Sequence, residues 1–179
     1  CDWSSDVCSS DLFGPVARWG MQVSARHHLR SDEISALSDS LAAQLGVDID
    51  AESFELVELE ETPFDLVLVD GEPLVFRRDG EWFVTVRGAN GLDPETHVVT
   101  VDAGAVEFVS GGADGMRPGI VGADEDISEG DLVVIAEETH GKALAVGRAL
   151  VGGGEMTGDS GKVVESIHHV GDEFYELRV

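Results

Sequence analysis

The chain has 179 residues, with 11 Lys and Arg against 36 Asp and Glu, which gives a formal net charge of −25. This length predicts one domain or two small ones, with enough chain for a hydrophobic core. Hydrophobic residues make up 42% of the chain, so disorder over its whole length is excluded. No apolar run approaches the roughly 18 residues that a membrane helix needs. The two cysteines, Cys1 and Cys8, are too few for a zinc cluster or a disulfide framework.

The acidic residues are spread along the chain, and the basic residues include two lysines, Lys142 and Lys162. Such an acidic coat is self-repulsive in dilute buffer, whereas about 1 M salt shortens the Debye length to about 3 Å and screens the repulsion. The pattern favours a cytoplasmic protein of an organism with high internal salt, of the haloarchaeal type, over an ordinary acidic protein.

Residues 1–12 differ in character from the rest of the chain and lack the basic and apolar regions of a signal peptide. They resemble the in-frame translation of a short sequencing adapter, and residues 13–20 then read as chimeric or untranslated sequence. We expect residues 1–20 to be a non-native extension and the protein's own start to be Met21. The alternative is a genuine extension without structure.

One amphipathic helix is predicted over residues 31–45. Ser31 is its predicted N-cap, acidic residues occupy its first turn, and Gly46 is a good stop signal. Its apolar residues recur every three or four positions, at Ile34, Leu37, Leu41 and Leu45.

Beyond residue 53 the apolar period changes to two, which predicts strands over 54–59, 66–69, 74–76 and 82–86. Asp70-Gly71 and Asp79-Gly80 are strong hairpin signals between them, so an antiparallel meander is predicted. The turn-rich stretch over 88–95 is the candidate boundary between a first domain, 21–95, and a second, 96–179.

The second half is predicted to open with a strand over 98–101 and a short helix over 102–109 capped by Asp102. A glycine-rich turn follows over 110–115. Further strands are predicted over 132–136, 144–150, 163–170 and 173–179. Many short strands with glycine turns and one short helix predict a small β-barrel, and the fold class is α+β.

The short helix and its glycine turn resemble the opening of a PUA domain, the domain of pseudouridine synthases and archaeosine transglycosylases. On spacing alone, a structural turn between helix and strand is the favoured interpretation of the same block. The resemblance covers residues 97–174. The residues that carry it are Gly104, Ala105, Gly111-Gly-Ala113, Arg117-Pro-Gly-Ile120, Gly130-Asp131, Gly141-Lys142, Ala145-Val-Gly147 and His168-His-Val-Gly-Asp172.

The preceding residues resemble the pre-PUA domain of archaeal PUA proteins, which are similar to the malignant T-cell amplified sequence family of ribosome-associated proteins. This match rests on the helix-then-meander order and on Arg26-His-His-Leu-Arg30. The resemblance implies a small pre-PUA α/β-meander domain followed by a PUA β-barrel.

In PUA domains RNA lies against the helix, the glycine loop and the following strand. The resemblance therefore implies a non-catalytic RNA-binding protein without a cofactor, binding tRNA or ribosomal RNA, with the ribosome or translation factors as partners and no DNA or membrane. The implied RNA-contact residues are Gly104, Gly111, Gly112, Ala113, Met116, Arg117, Pro118, Gly119, Lys142, Arg148, Lys162 and His169.

The acidic charge runs against the usual basic character of RNA-binding proteins, whose association is driven by counterion release. In molar salt that contribution nearly disappears, so recognition would rely on hydrogen bonds, shape and base stacking. Two other functions remain open: an accessory RNA-binding subunit of a transglycosylase or pseudouridine synthase, and a protein-interaction module without RNA.

Catalytic and metal sites are weakly indicated. Ser160 can be combined with His168 or His169 into a triad on paper, but no nucleophile-elbow pattern accompanies it. Each His pair, His27-His28 and His168-His169, is predicted to have one buried ring and one exposed or RNA-contacting ring, because neighbours on a strand face opposite ways. We expect no metal site, and Asp124-Glu-Asp126 reads as a solvated loop.

Overall fold

The structure is a computed structural model that describes residues 23–60, 62–94 and 96–176. The predicted extension over residues 1–20 and the predicted start at Met21 lie outside these residues. Within them, no helix combines the length and the apolar character needed to cross a membrane. The strands of this part of the chain form two sheets, one of five strands and one of six, so the predicted α+β class is confirmed.

The first half contains a meander of five strands and two helices. Its elements are β1 (Val23–His28), α1 (Ser31–Leu45), β2 (Phe54–Leu59), β3 (Phe64–Val69), β4 (Glu72–Arg78), β5 (Glu81–Val84) and α2 (Val86–Leu92). The strands lie in sequence order and each pairs antiparallel with the next, as predicted. Strand β1 was not predicted, because its polar sequence lacks an apolar alternation.

Helix α1 spans the predicted residues, and its predicted apolar face is buried. Leu37, Leu41 and Leu45 are completely enclosed in the core, and Gly46 ends the helix with φ of 68°. The predicted N-cap was wrong by one residue: Arg30 is the cap, and its backbone N–H donates to the Glu33 carboxylate at 3.0 Å.

Both predicted hairpin turns are confirmed by their backbone angles. Asp70 and Gly71 have φ of 52° and 89°, and Asp79 and Gly80 have φ of 52° and 84°. Two successive positive φ values characterise the type I′ turn, whose twist matches that of the flanking strands. The turn residues therefore fix the register of the meander.

The stretch predicted as strand end and turn, from Val86 onward, forms helix α2. Thr85 caps it, since the Thr85 hydroxyl accepts a hydrogen bond from the Gly88 N–H at 3.0 Å. A Cβ atom on Gly88 would lie 1.9 Å from the Leu74 carbonyl oxygen. Gly88 is thus required by the close packing of α2 on β4. The turn predicted here was wrong because the glycine serves this contact and not a turn.

The second half forms a nearly closed barrel. Its elements are β6 (Val98–Val101), α3 (Ala103–Ser110), β7 (Gly115–Met116), a 3₁₀ turn (Arg117–Gly119), β8 (Ile120–Ala123), β9 (Leu132–Glu137), β10 (Ala143–Ala149), a 3₁₀ turn (Gly153–Glu155), β11 (Lys162–His169) and α4 (Glu173–Glu176). The sheet order is β7-β11-β10-β9-β6-β8, with β6 parallel to β9. Strands β7 and β8, at the two ends of this order, are joined by the first 3₁₀ turn. The interior of the barrel is filled by branched side chains such as Val99, Ile135 and Val163.

The strand predicted over 173–179 was wrong where the structure describes it. Residues Glu173–Glu176 form the short helix α4, and residues 177–179 lie outside the described residues. The Asp172 carboxylate starts this helix by accepting hydrogen bonds from the backbone N–H of His169 at 2.9 Å and of Tyr175 at 2.6 Å. A side chain that binds the backbone in this way favours a helical turn over a strand.

The two halves share a hydrophobic core. Leu132, Val134, Ala143 and Val146 of the barrel are buried in the same cluster as the first-half residues. The Asn90 side chain of α2 also accepts a hydrogen bond from the Ala143 N–H at 2.8 Å and donates one to its carbonyl at 3.3 Å. The domain boundary at residue 95 stays a prediction, but the segments on either side of it are packed together.

Candidate functional site

Helix α3 presents one aromatic side chain to solvent. Asp102 caps the helix as predicted, its carboxylate accepting a hydrogen bond from the Ala105 N–H at 2.9 Å. Val109 faces the barrel core, whereas the side chain of Phe108 is 68% exposed. Below the helix, a Cβ atom on Gly119 would lie 2.7 Å from the Ala105 Cβ, so glycine allows the 3₁₀ turn to approach α3.

The glycine loop over residues 110–115 runs along the edge of β11. His169 Nδ1 lies 3.1 Å from the Ser110 carbonyl oxygen, and the Ser166 N–H donates to the Asp114 carboxylate at 2.8 Å. Gly112 has φ of 97°, and a Cβ atom there would lie 2.9 Å from His169 Nε2. Because Nδ1 faces carbonyl oxygens, it carries the hydrogen, and the ring holds the loop in place.

Strand β7 and the start of β11 continue this edge, with one apolar side chain on β7 and one basic side chain on β11. Met116 is paired in register with Lys162 of β11. The Lys162 ammonium lies 3.3 Å from the Asp114 carboxylate, and the Lys162 side chain is 46% exposed. At Gly115 a Cβ atom would be 3.0 Å from the Val164 Cβ, which explains why a small residue stands here.

A cavity of about 180 Å³ lies between α3, the glycine loop and β7. Phe108 and Met116, which are 68% and 47% exposed, flank it. Its lining residues are Val101, Ala105, Phe108, Val109, Ala113, Asp114 and Met116. Phe108 was missed by the sequence analysis. The sequence pattern that could have indicated it is the presence of apolar residues on more than one face of α3. Only one face of a helix packs on the core, so an apolar residue on another face stays exposed.

Arg117 begins the 3₁₀ turn, and its side chain is directed toward the following loop of the barrel. Its Nε–H donates to the Glu155 carbonyl at 2.8 Å and its Nη1 donates to the Ser160 carbonyl at 3.1 Å. Its backbone N–H donates to the Gly161 carbonyl at 2.9 Å. Two of the guanidinium nitrogens are thus used to hold the protein's own backbone.

Two predicted site residues lie outside this group. Arg148 donates to the Gly130 carbonyl at 2.7 Å and pairs with Glu81 of the first half at 3.3 Å, so it connects the two halves. Lys142 is exposed in the turn between β9 and β10. The other predicted residues share the surface formed by α3, the glycine loop, β7, the 3₁₀ turn and β11: Gly104, Gly111, Gly112, Ala113, Met116, Arg117, Pro118, Gly119, Lys162 and His169.

In the His168-His169 pair the expected buried ring is His168, whereas the other ring is half-buried and not exposed. His168 is 1% exposed, with Nδ1 2.9 Å from the Asp172 carboxylate, and His169 is half-buried against the glycine loop. Burial by itself would raise the pKa of Asp172. The hydrogen bonds that Asp172 accepts from His168 and from backbone N–H groups outweigh burial and hold its pKa below the usual value.

For His27 and His28 the expectation of one buried ring was wrong. Both are exposed, because β1 is an edge strand whose two faces are open in the described structure. The described ranges contain no group of three His, Cys, Asp or Glu side chains placed to hold a metal ion.

The Asp124 loop has a structural role. The Asp124 carboxylate accepts hydrogen bonds from the backbone N–H of His97 at 2.7 Å and of Asp126 at 3.1 Å. Burial raises the pKa of Asp124, but these bonds outweigh it and the pKa lies below the usual value. Ser160 lies two residues before β11, whereas His168 and His169 are its last two residues. From Lys162 to His168 alone the strand rises roughly 20 Å at about 3.3 Å per residue. The geometry does not assemble the triad considered above.

Comparison with known proteins supports the sequence resemblance. Residues 97–171 match the PUA domain family, and residues 25–87 match the family described as a domain of unknown function (DUF1947). An uncharacterized protein of Methanocaldococcus jannaschii is 41% identical over 116 residues, covering 64% of this chain and 72% of that protein. Translation machinery-associated protein 20 of Saccharomyces cerevisiae is 33% identical over 132 residues, covering 70% and 72% respectively.

The fold and the predicted family are matched by further proteins. A hypothetical protein of the hyperthermophilic archaeon Pyrococcus horikoshii has a crystal structure with a TM-score of 0.78 and 32% identity, covering 85% of this chain and 98% of that chain. A Drosophila melanogaster relative named Malignant T-cell-amplified sequence 1 homolog is 31% identical over 113 residues, covering 60% of this chain and 62% of that protein. The chain belongs to the family of PUA-domain proteins that includes translation machinery-associated protein 20, and it carries a DUF1947 region ahead of its PUA domain.

Proposed function

We propose that this protein is a non-catalytic RNA-binding protein linked to translation, and that it binds unpaired nucleotides of tRNA or ribosomal RNA. The observation that carries the proposal is the cavity of about 180 Å³ flanked by the exposed side chains of Phe108 and Met116. A large exposed aromatic ring beside an apolar cavity is costly in water unless it meets a ligand. The PUA match supports RNA as the class of ligand.

The cavity is suited to an unpaired base. Stacking of one base on an aromatic side chain contributes about 1–3 kcal/mol and tolerates any base, because every base has a π-face. The glycine loop beside it is exposed at Gly111, where the absence of a side chain lets a nucleotide backbone approach closely. A duplex keeps its bases stacked inside, so it presents no ring for this cavity.

Lys162 supplies the positive charge of this surface. Its side chain is 46% exposed, and its ammonium is paired with the carboxylate of Asp114. A phosphate that approaches the cavity can therefore bind the ammonium without displacing a buried ion pair. The base would contact Phe108 and Met116, and the neighbouring phosphate would contact Lys162.

The direct test is RNA affinity with a matched pair of variants. We expect single-stranded RNA to bind more tightly than a duplex of the same length. Phe108→Ser should weaken that binding by about tenfold, in line with the loss of one stacked base. Val121→Ser is the control, since Val121 is 51% exposed on β8 and does not line the cavity. Equal effects of the two variants would contradict the proposal.

The link to translation rests on the relatives. The yeast relative's name associates it with the translation machinery, and we propose ribosomes or translation factors as partners of this chain as well. The test is co-sedimentation of the protein with ribosomal particles, with Phe108→Ser as the comparison. Retention of the variant at the wild-type level would show that the cavity is not used there.

We also propose that the acidic coat adapts the protein to a cytoplasm with high salt. A net charge of −25 is strongly self-repulsive at low ionic strength. Raising KCl from about 0.1 M to about 2 M shortens the Debye length from about 10 Å to below 3 Å. The free energy of unfolding should therefore rise over this range, and a flat or falling stability would contradict the adaptation.

A further inference from the structure

We propose that Arg117 serves RNA binding as a positioning residue that fixes the loop over residues 152–161, and that Lys162, which follows this loop, makes the phosphate contact. The inference rests on the proposed function and identifies which cation of the surface meets the ligand. It departs from the sequence-based expectation, in which the Arg117 guanidinium itself was placed among the RNA contacts.

The guanidinium connects two points of one loop. Its Nε–H and Nη1 donate to the carbonyls of Glu155 and Ser160, which are five residues apart. The Arg117 N–H binds the Gly161 carbonyl as well, at 2.9 Å. These three bonds close the end of the loop against the 3₁₀ turn that follows β7.

The loop is shaped around the Arg117 side chain. Gly158 has φ of 155° and a Cβ atom there would lie 3.0 Å from Arg117 Cδ. Gly161 has φ of 108°, and its Cβ atom would lie 2.8 Å from Arg117 Nη1. Two glycines with positive φ thus lie close against one arginine side chain, in space that larger residues would fill.

The two ends of the loop are held differently. At the first end, Met156 is completely buried in the barrel core, and a Cβ atom on Gly153 would lie 1.8 Å from the Asp124 carbonyl oxygen. Residues 157–160 are exposed. The second end therefore depends on the bonds to Arg117, and it leads directly into Lys162.

Lys162 needs this anchor because of its place in the sheet. It is the first residue of β11 and is paired with Met116, the residue before Arg117. A loop released from Arg117 would let the start of β11 fray and move the Lys162 ammonium relative to the cavity. Lysine at position 117 would keep the charge but lose the planar fork that reaches two carbonyls.

The experiment measures RNA affinity over a range of KCl concentrations for the full chain. Each phosphate contact to single-stranded RNA contributes about 0.7 to the slope of log affinity against log salt. We expect Lys162→Gln to reduce the slope by that amount. Arg117→Gln and Arg117→Lys should both lower the affinity by about tenfold and reduce the slope by the same amount, because each displaces the Lys162 ammonium from the phosphate. Arg30→Gln, which removes an exposed charge from the first half, is the control and should change neither.

A reduced slope for Arg117→Gln, together with wild-type affinity for Arg117→Lys, would overturn the proposal, because it would show direct phosphate contact. Hydrogen exchange of residues 153–161 without RNA gives a separate readout. It should become faster in Arg117→Lys and stay unchanged in Lys162→Gln. If the wild type binds no RNA, the proposed function fails, and unchanged exchange in Arg117→Lys would still refute the positioning role.

Discussion

Replacing Gly88 with alanine should destabilise the protein, although alanine is the better helix former. A Cβ atom at this position would lie 1.9 Å from the carbonyl oxygen and 2.8 Å from the carbonyl carbon of Leu74. Both atoms belong to the backbone of β4, so α2 would have to move by about 1 Å to restore van der Waals contact. We expect overpacking to cost about 3 kcal/mol and helix propensity to return about 1 kcal/mol, a net loss of about 2 kcal/mol.

Gly91 provides the matched control within the same helix. It is exposed, and a Cβ atom there would meet no atom within 4 Å. Gly91→Ala should therefore stabilise the protein by about 0.5 kcal/mol. Urea unfolding at high KCl measures both, and the Gly88→Ala midpoint should fall by about 1 M. Equal or higher stability of Gly88→Ala would refute the packing of α2 on β4.

Three further changes probe other contacts. Asn90→Ala should lower the free energy of unfolding by about 2 kcal/mol, measured with urea, because it removes both hydrogen bonds between the Asn90 side chain and the buried Ala143 backbone. An unchanged midpoint would show that this contact between the halves does not contribute to stability. Gly112→Ala should lower the free energy of unfolding by about 2 kcal/mol, because φ of 97° is strained for alanine and its Cβ atom would clash with the His169 ring. Wild-type stability of this variant would argue against the loop conformation. The pKa of Asp172 is lower in the folded state than in the unfolded chain, so its stabilisation is present above about pH 4 and is lost as pH falls through the folded value. Asp172→Asn should accordingly show a flatter loss of stability between about pH 5 and pH 2, and a decline as steep as the wild type's would contradict this role.

The elements that could be predicted from the sequence are those determined by local signals. The leucine spacing of α1 and its glycine stop specify a helix by themselves, and they were placed correctly. The Asp-Gly pairs of the two hairpins favour positive φ at successive positions, which determines the turn type and the register of the meander. The Asp102 cap belongs to the same class, because its hydrogen bond reaches only three residues along the chain.

Elements that depend on tertiary contact were misread. The glycines of α2 look like a turn until β4 is placed against Gly88. Strand β1 has no apolar alternation and gains its structure from pairing with β2. For the same reason, the spacing of Arg117 could not show that its guanidinium binds the carbonyls of Glu155 and Ser160, 38 and 43 residues away.

The candidate site likewise combines features that the sequence indicates with features that depend on tertiary contacts. The glycine loop and Met116 were predicted from a family resemblance, and the PUA match supports that resemblance. The cavity and the exposed ring of Phe108 emerge only when α3, the loop and β7 are brought together. Arg148 was grouped with the site by its charge, whereas the structure pairs it with Glu81 of the first half.

Crosslinking of bound RNA to the protein, followed by mass spectrometry of the peptides, would identify the surface that contacts RNA. The wild-type chain would be irradiated with single-stranded RNA at high KCl, with duplex RNA as the comparison. We expect crosslinks within residues 104–119 and 162–169, at the surface that contains Phe108 and Lys162. Crosslinks confined to residues 23–94, or none above the duplex level, would contradict this expectation.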